Sequence, residues 1–161
     1  MTQIMNRIFI LFCGFFLGMI IGSCRDDYSI CNENREVKFA ATFYQKMAGV
    51  DIIATAPSLS IKNIAANTSA YTNQSNQTNF YLTLDAQKDS LQYLVMLANN
   101  LPPDTLTIVY TSQSRNISAD CGNVFMYNIT KIYSTIHSID SIKLLNPAVT
   151  NSLTQNAKIY F

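Results

Sequence analysis

Short segments in which apolar and polar residues alternate recur from residue 37 to residue 161, and they constrain the fold more than any other feature. In residues 37–43 every second side chain is apolar, and residues 105–111 alternate in the same way. Residues 124–133 are rich in β-branched and aromatic residues. A period of two is typical of a strand with one buried face, because successive side chains point to opposite sides of a sheet. The pattern therefore predicts an all-β domain.

Five further strands are predicted, and turn signals separate them: residues 58–64, 80–84, 91–97, 142–145 and 157–161. Residues 85–89 are expected to join two of these strands as a hairpin, and residues 112–120 are expected to form a loop. No long helix is predicted after the N-terminal segment. About eight short strands favour an antiparallel two-sheet β-sandwich (Ig-like or related), preceded by a removed N-terminal signal helix.

Residues 67–79 form an uncharged tract that consists almost wholly of Asn, Gln, Ser and Thr. Such a tract buries too little apolar area to offset the entropy lost on ordering it, so we expect an exposed loop. Binding residues are often carried on loops. We therefore name Tyr71, Asn73 and Asn76 as a candidate binding loop, with a solvated loop of no function as the alternative.

The N-terminal segment has the features of a secretory signal. Residues 8–21 are all apolar or Gly and follow Arg7, but the run is shorter than the roughly 20 residues that span a bilayer. It ends in Ile21-Gly22-Ser23-Cys24, which resembles a lipobox. We expect residues 1–23 to be a removed lipoprotein signal peptide, residues 24–34 a tether lipidated on Cys24, and residues 35–161 a single β-sandwich domain. The alternatives are an ordinary secretory signal and a short anchor helix with an incidental Cys.

A lipid on Cys24 would anchor the protein in a membrane of the bacterial cell envelope, where acyl chains supply the attachment. We expect the outer membrane, with the domain on its periplasmic or its extracellular side. Residues 25–27 resemble a surface-export signal, and a solvated tether is the alternative. Removal of Arg7 leaves equal numbers of basic and acidic side chains, so no nucleic-acid partner is expected. An envelope protein or a glycan is the expected partner.

Two cysteines, Cys31 and Cys121, remain after Cys24. In an exported domain an even pair predicts a disulfide. It would close a loop of about 90 residues and stabilise the fold by roughly 4 to 5 kcal/mol in the chain-entropy account. Two free thiols, one of them catalytic or metal-bound, are the alternative, although no CxxC motif occurs.

Several segments resemble one known family. They are the lipobox and Cys31, Phe-Tyr-Leu-Thr-Leu at residues 80–84, Asp-Thr-Leu-Thr-Ile-Val-Tyr at 104–110, Asp-Cys-Gly at 120–122, His-Ser-Ile-Asp-Ser-Ile at 137–142 and Asn-Ala-Lys-Ile-Tyr-Phe at the C-terminus. In order and content they are similar to a family of uncharacterised Bacteroidota lipoproteins, the domain-of-unknown-function family 6452. The resemblance implies an all-β envelope lipoprotein without an established activity, and it transfers no catalytic residues.

The residues carry little recognisable catalytic chemistry. His137 with Asp140 and a nearby Ser is a candidate acid–base set, but no GxSxG motif occurs, and a histidine that stabilises a turn is the simpler interpretation. No residue pattern predicts a metal site or a cofactor. The many tyrosines suit either core packing or a binding surface. We predict a non-enzymatic binding or structural module. The alternatives are a fimbria-like subunit that exchanges the strand at residues 157–161, and a hydrolase that uses His137.

Overall fold

The alternating segments form strands that direct their apolar side chains into one shared core. The computed structural model describes residues 30–161, in which residues Asn32–Phe161 form one unit. The strands are β1 (Phe39–Met47), β2 (Val50–Ile53), β3 (Ala56–Asn63), β4 (Thr68–Gln77), β5 (Asn79–Leu82), β6 (Ser90–Met96), β7 (Asp104–Ser118), β8 (Gly122–Ser134), β9 (Ser141–Leu144), β10 (Ala148–Val149) and β11 (Ala157–Tyr160).

These strands build two sheets, so the predicted two-sheet β-sandwich is confirmed. The five-stranded sheet has the order β2-β1-β11-β9. Its fifth strand, β5, pairs with the first part of β1, and β2 pairs with the last part. The six-stranded sheet has the order β10-β8-β7-β6-β3-β4. All strand pairs are antiparallel except β1 with β11, which is parallel.

The C-terminal strand β11 lies inside the five-stranded sheet, between β1 and β9. Ile159 is opposite Phe43 on one side and Ile142 on the other. Both edges of β11 therefore carry main-chain hydrogen bonds within the domain. This arrangement counts against the alternative in which the C-terminal strand is exchanged with a neighbouring subunit.

The core lies between the sheets and is formed by the inward residues of both. The five-stranded sheet contributes Phe39, Phe43, Phe80, Leu82 and Ile159, and the six-stranded sheet contributes Leu59, Ile61, Leu106, Ile108 and Tyr110, all buried. These residues occupy alternate positions in their strands, which is why the period of two was a reliable signal.

The expectation of a loop at residues 67–79 was wrong. Strand β4, at the edge of the six-stranded sheet, occupies most of this tract and pairs with β3. Nearly all of its side chains are exposed, so its composition carries no apolar alternation. Main-chain pairing with β3 rather than side-chain burial holds the strand. Tyr71 is its one residue packed against the core.

The expected hairpin at residues 85–89 and the expected loop at residues 112–120 were also wrong. Strand β5 pairs with β1 in one sheet and β6 with β3 and β7 in the other, so the chain between β5 and β6 crosses from sheet to sheet. Strand β7 continues to Ser118 and pairs with β8 along an extended hairpin whose outer part is largely exposed. The short strands β2 and β10 were not predicted.

Both Cys31 and Cys121 are disulfide-bonded, which supports the predicted Cys31–Cys121 bridge. The predicted signal peptide, Cys24 and the residues 25–27 lie outside the described residues, and the domain boundaries stay a prediction. In residues 30–161, no helix is long and apolar enough to cross a membrane.

Candidate functional site

The two sheets approach each other where edge strand β4 faces β5, and a tyrosine joins them there. The main-chain N–H of Tyr81 on β5 donates a hydrogen bond to the hydroxyl of Tyr71 on β4, with 2.9 Å between nitrogen and oxygen. The Tyr71 ring also packs edge-on against Phe80, with 6.5 Å between ring centroids. Tyr71 is therefore held in place at both its ring and its hydroxyl.

A cavity of about 500 Å³ opens beside this junction. We call it the tyrosine cleft. Its lining includes Lys38, Asn63, Thr68, Tyr71, Tyr81 and Tyr93. The Tyr81 side chain is exposed, Tyr71 is half-buried, and Tyr93 is buried. Aromatic side chains with polar groups around them are typical of a ligand site.

The lining of the tyrosine cleft is almost uncharged. Lys38 is its one charged side chain, and its ammonium lies 2.9 Å from a carboxylate oxygen of Glu36. The remaining polar groups are hydroxyls and an amide, which can both donate and accept hydrogen bonds. The cleft therefore suits a neutral ligand with hydroxyl or amide groups better than a charged one.

Three buried tyrosines fix the chain that leaves the cleft. The hydroxyls of Tyr93, Tyr127 and Tyr110 donate to three consecutive carbonyl oxygens, those of Thr83 at 2.7 Å, Leu84 at 2.9 Å and Asp85 at 2.9 Å. Burial raises the pKa of each of these phenols, so all three remain protonated donors at neutral pH. The crossing between the sheets is thus held in one conformation.

The structure separates the three residues that were named as a binding loop. Tyr71 lines the cleft, whereas Asn73 and Asn76 are not part of its lining. Both asparagines have positive φ angles, 46° and 56°, a conformation that Asn adopts more readily than most residues. The Asn73 N–H also donates a hydrogen bond to the Ser60 hydroxyl oxygen at 2.9 Å. Their role is to shape β4.

Tyr81 and Tyr93 were not predicted as members of this site. A signal for Tyr81 was present, because it alternates with the buried residues Phe80 and Leu82 and must therefore point outward. No signal linked it to Tyr71, since that contact depends on how the two sheets meet.

The acid that contacts His137 is Asp104, whereas the sequence suggested Asp140. The Nδ1 atom of His137 lies 3.2 Å from Asp104, and its ring is about half-exposed. The buried Asp104 carboxylate also accepts hydrogen bonds from the Thr135 hydroxyl at 2.7 Å and from the main-chain N–H groups of His137, Ser138 and Ile139 at 2.7–2.9 Å.

These contacts give Asp104 a structural role. Burial acts to raise the pKa of its carboxyl, but the hydrogen bonds from Thr135 and from the main chain outweigh that effect and lower it. The ionised carboxylate therefore fastens residues 135–139 to the start of β7. His137 therefore lies in a turn that the Asp104 carboxylate stabilises, which corresponds to the simpler of the two interpretations of this histidine.

In residues 30–161, no group of three or more His, Cys, Asp or Glu side chains is placed to hold a metal ion.

Comparison with known proteins identifies one family. Residues 58–161 match the model of a family described as a family of unknown function, DUF6452, which confirms the resemblance noted in the sequence. The matched region contains the tyrosine cleft except for Lys38. No curated protein and no solved structure matches the chain.

Proposed function

This chain belongs to the family of unknown function DUF6452, and we propose that it is a lipid-anchored protein of the bacterial cell envelope that binds a neutral glycan in the tyrosine cleft. The observation that carries the proposal is the concave, nearly uncharged site in which Tyr71 and Tyr81 lie beside hydroxyl and amide side chains. We propose binding without catalysis.

The ring chemistry supports a sugar ligand. A tyrosine offers an apolar ring face together with a polar hydroxyl, which suits a ligand that has both C–H faces and hydroxyl groups. Tyr81 is 38% exposed, so part of its ring is available to a ligand. The hydroxyl and amide groups of Thr68 and Asn63 lie in the same lining and can bond sugar hydroxyls.

The rigidity of the site also supports binding. A preformed site loses less conformational entropy when a ligand enters. Tyr71 is fixed to the Tyr81 main chain, and the Tyr93 hydroxyl holds the Thr83 carbonyl. The cleft therefore has its shape before the ligand arrives.

The test is a glycan array that presents neutral and acidic oligosaccharides to the full-length protein in detergent micelles. We expect binding to neutral glycans, with Tyr81→Ala weakening it at least tenfold. Tyr133→Ala is the matched control, because Tyr133 is similarly exposed at 46% but lies on β8, outside the cleft. Equal affinities of Tyr81→Ala and wild type, or no bound glycan, would refute the proposed site. Recovery of a bound glycan in cleaved form would refute the non-catalytic role.

The envelope location rests on the lipobox and has its own test. Metabolic labelling with a palmitate analogue should tag the wild-type protein, and Cys24→Ala should abolish the tag and release the protein from the membrane fraction. Unlabelled wild-type protein would contradict the lipid anchor. The glycan array would still test the proposed binding site separately.

A further inference from the structure

The tyrosine cleft continues into two neighbouring cavities. A second cavity of about 400 Å³ shares Asn63 and Thr83 with the cleft, and its lining also includes Ala65 and Lys88. A third cavity of about 680 Å³ shares Lys88 with the second. Because neighbouring cavities share lining residues, the three adjoin in series. We call them together the lateral groove.

One wall of the lateral groove is the chain that crosses from β5 to β6, and this wall is rigid. Beyond the three tyrosine hydroxyls that fix residues 83–85, the Ser112 hydroxyl donates to the Ala86 carbonyl at 2.9 Å, and the Tyr110 N–H donates to the Asp89 carbonyl at 2.8 Å. The main-chain hydrogen bonds of the wall are thus distributed along the whole groove. This wall is therefore held in place beside each of the three cavities.

The size of the groove determines what kind of ligand fits it. Sites for single small molecules measure about 300–1,000 Å³. Each cavity by itself falls in this range, and the three together exceed it. A single sugar would occupy one of the three. An extended chain of several units could occupy all of them in sequence.

The charges of the groove decide between neutral and acidic chains. Asp85 and Asp89 line the second and third cavities, with Lys88 between them. The Asp85 carboxylate accepts the Gln87 N–H at 2.9 Å, so it is held beside the groove rather than turned away. The ammonium groups of Lys38 and Lys88 balance the two carboxylates, so the groove offers a polyanion no net attraction.

We propose that the lateral groove binds a linear neutral oligosaccharide across three adjoining subsites, of which the tyrosine cleft is the first. This inference rests on the proposed glycan-binding function and specifies its ligand as a chain rather than a terminal sugar.

The experiment measures affinity against chain length. Size-graded neutral oligosaccharides of one to eight sugars (β-glucan, α-mannan and N-acetylglucosamine series) are titrated into the full-length protein. Ala65→Trp places a large side chain in the second cavity, where Ala65 is exposed. Lys62→Trp is the matched control, because Lys62 is exposed on β3 and lines none of the three cavities. Thermal unfolding verifies that both variants fold.

For the series that binds, we expect affinity to rise at least tenfold between the shortest chain that binds and the longest. A longer chain can bind at more positions along its length, and the rise should exceed this statistical gain. Ala65→Trp should abolish that rise, so that long chains bind no more tightly than the shortest one, and Lys62→Trp should behave as wild type. An affinity independent of length, or an unchanged rise in Ala65→Trp, would overturn the inference while Tyr81→Ala still reports on the cleft. Absence of binding to any series would overturn the proposed function and this inference together.

Discussion

Two groups of tyrosines in this domain differ in what their hydroxyls and rings do. Tyr93, Tyr110 and Tyr127 are buried, and each donates its hydroxyl to a carbonyl of the crossing chain. Tyr71 and Tyr81 line the cleft together with the buried Tyr93, but these two rings are only partly covered, and Tyr81 leaves part of its ring exposed. The first group builds the support and the second forms the surface that we propose binds ligand. The comparison shows that the number of tyrosines says little until the place of each one is known.

Position in the sandwich explains the difference. The buried group lies on β6, β7 and β8, which are interior strands of the six-stranded sheet. The cleft pair lies on β4 and β5, at the margins where the sheets meet. An inward side chain on an interior strand is covered from both sheets, whereas a side chain at a margin keeps an open side. Substitutions in the buried group should therefore lower stability more than ligand affinity, whereas substitutions in the cleft pair should lower ligand affinity more than stability.

The largest expected effect is that of truncating a buried ring. Tyr110 is 1% exposed and packs edge-on against Tyr127 with 5.4 Å between ring centroids. Tyr110→Ala should lower the free energy of unfolding by about 3–5 kcal/mol, as large aromatic truncations in cores do. Tyr81→Ala should change it by no more than about 0.5 kcal/mol, as is usual on surfaces. Urea unfolding at neutral pH measures both, and similar losses in the two variants would invalidate the division into groups.

Removing one buried hydroxyl should have a smaller effect. The Tyr110 hydroxyl donates to the Asp85 carbonyl and accepts the Asp85 N–H at 3.1 Å. Tyr110→Phe leaves both main-chain groups without this partner, so we expect a loss of about 1–3 kcal/mol. Hydrogen exchange should also accelerate at the Asp85 amide. A stability equal to that of wild type with unchanged exchange would show that the hydroxyl does not hold the crossing chain.

Alkaline pH offers a test of the buried phenols that needs no loss of packing. Burial raises the pKa of Tyr93, so the folded state retains a proton that the unfolded chain loses near pH 10. The stabilisation is fully present below pH 10 and declines as the pH rises through the pKa of the folded state. Tyr93→Phe should reduce the slope of unfolding free energy against pH by up to about 1.4 kcal/mol per pH unit above pH 10.

Urea unfolding at several pH values from 8 to 11.5 measures this slope, and Tyr133→Phe is the control on an exposed ring. A slope in Tyr93→Phe that equals that of wild type would mean that Tyr93 does not retain its proton in the folded domain.

The sequence predicts the sandwich well because its interior strands bury every second residue. The pattern also separates two of the tyrosines. Tyr93 lies on the same inward face as Leu91 and Val95, whereas Tyr81 falls between the buried Phe80 and Leu82 and points outward. These assignments are local, and a period of two is enough to make them.

What the sequence did not predict depends on main-chain pairing and on contacts between the sheets. Strand β4 has no apolar alternation, because almost all its side chains face solvent and only its pairing with β3 holds it. The chain between β5 and β6 resembled a hairpin because a turn looks the same whether its strands pair or enter different sheets. The cleft could not be predicted from the sequence for the same reason, since Tyr71 and Tyr81 meet only when β4 and β5 belong to facing sheets.

The smallest expected effect separates the ring of a cleft tyrosine from its hydroxyl. Tyr71→Phe keeps the edge-on packing on Phe80 and removes the acceptor of the Tyr81 N–H, which is near solvent and can bond water instead. We expect a stability change within about 0.5 kcal/mol. Affinity for a neutral glycan should fall only two- to threefold, because the ring remains. A stability loss as large as that of Tyr110→Phe would place Tyr71 among the supporting tyrosines and reduce the ligand-facing pair to Tyr81 alone.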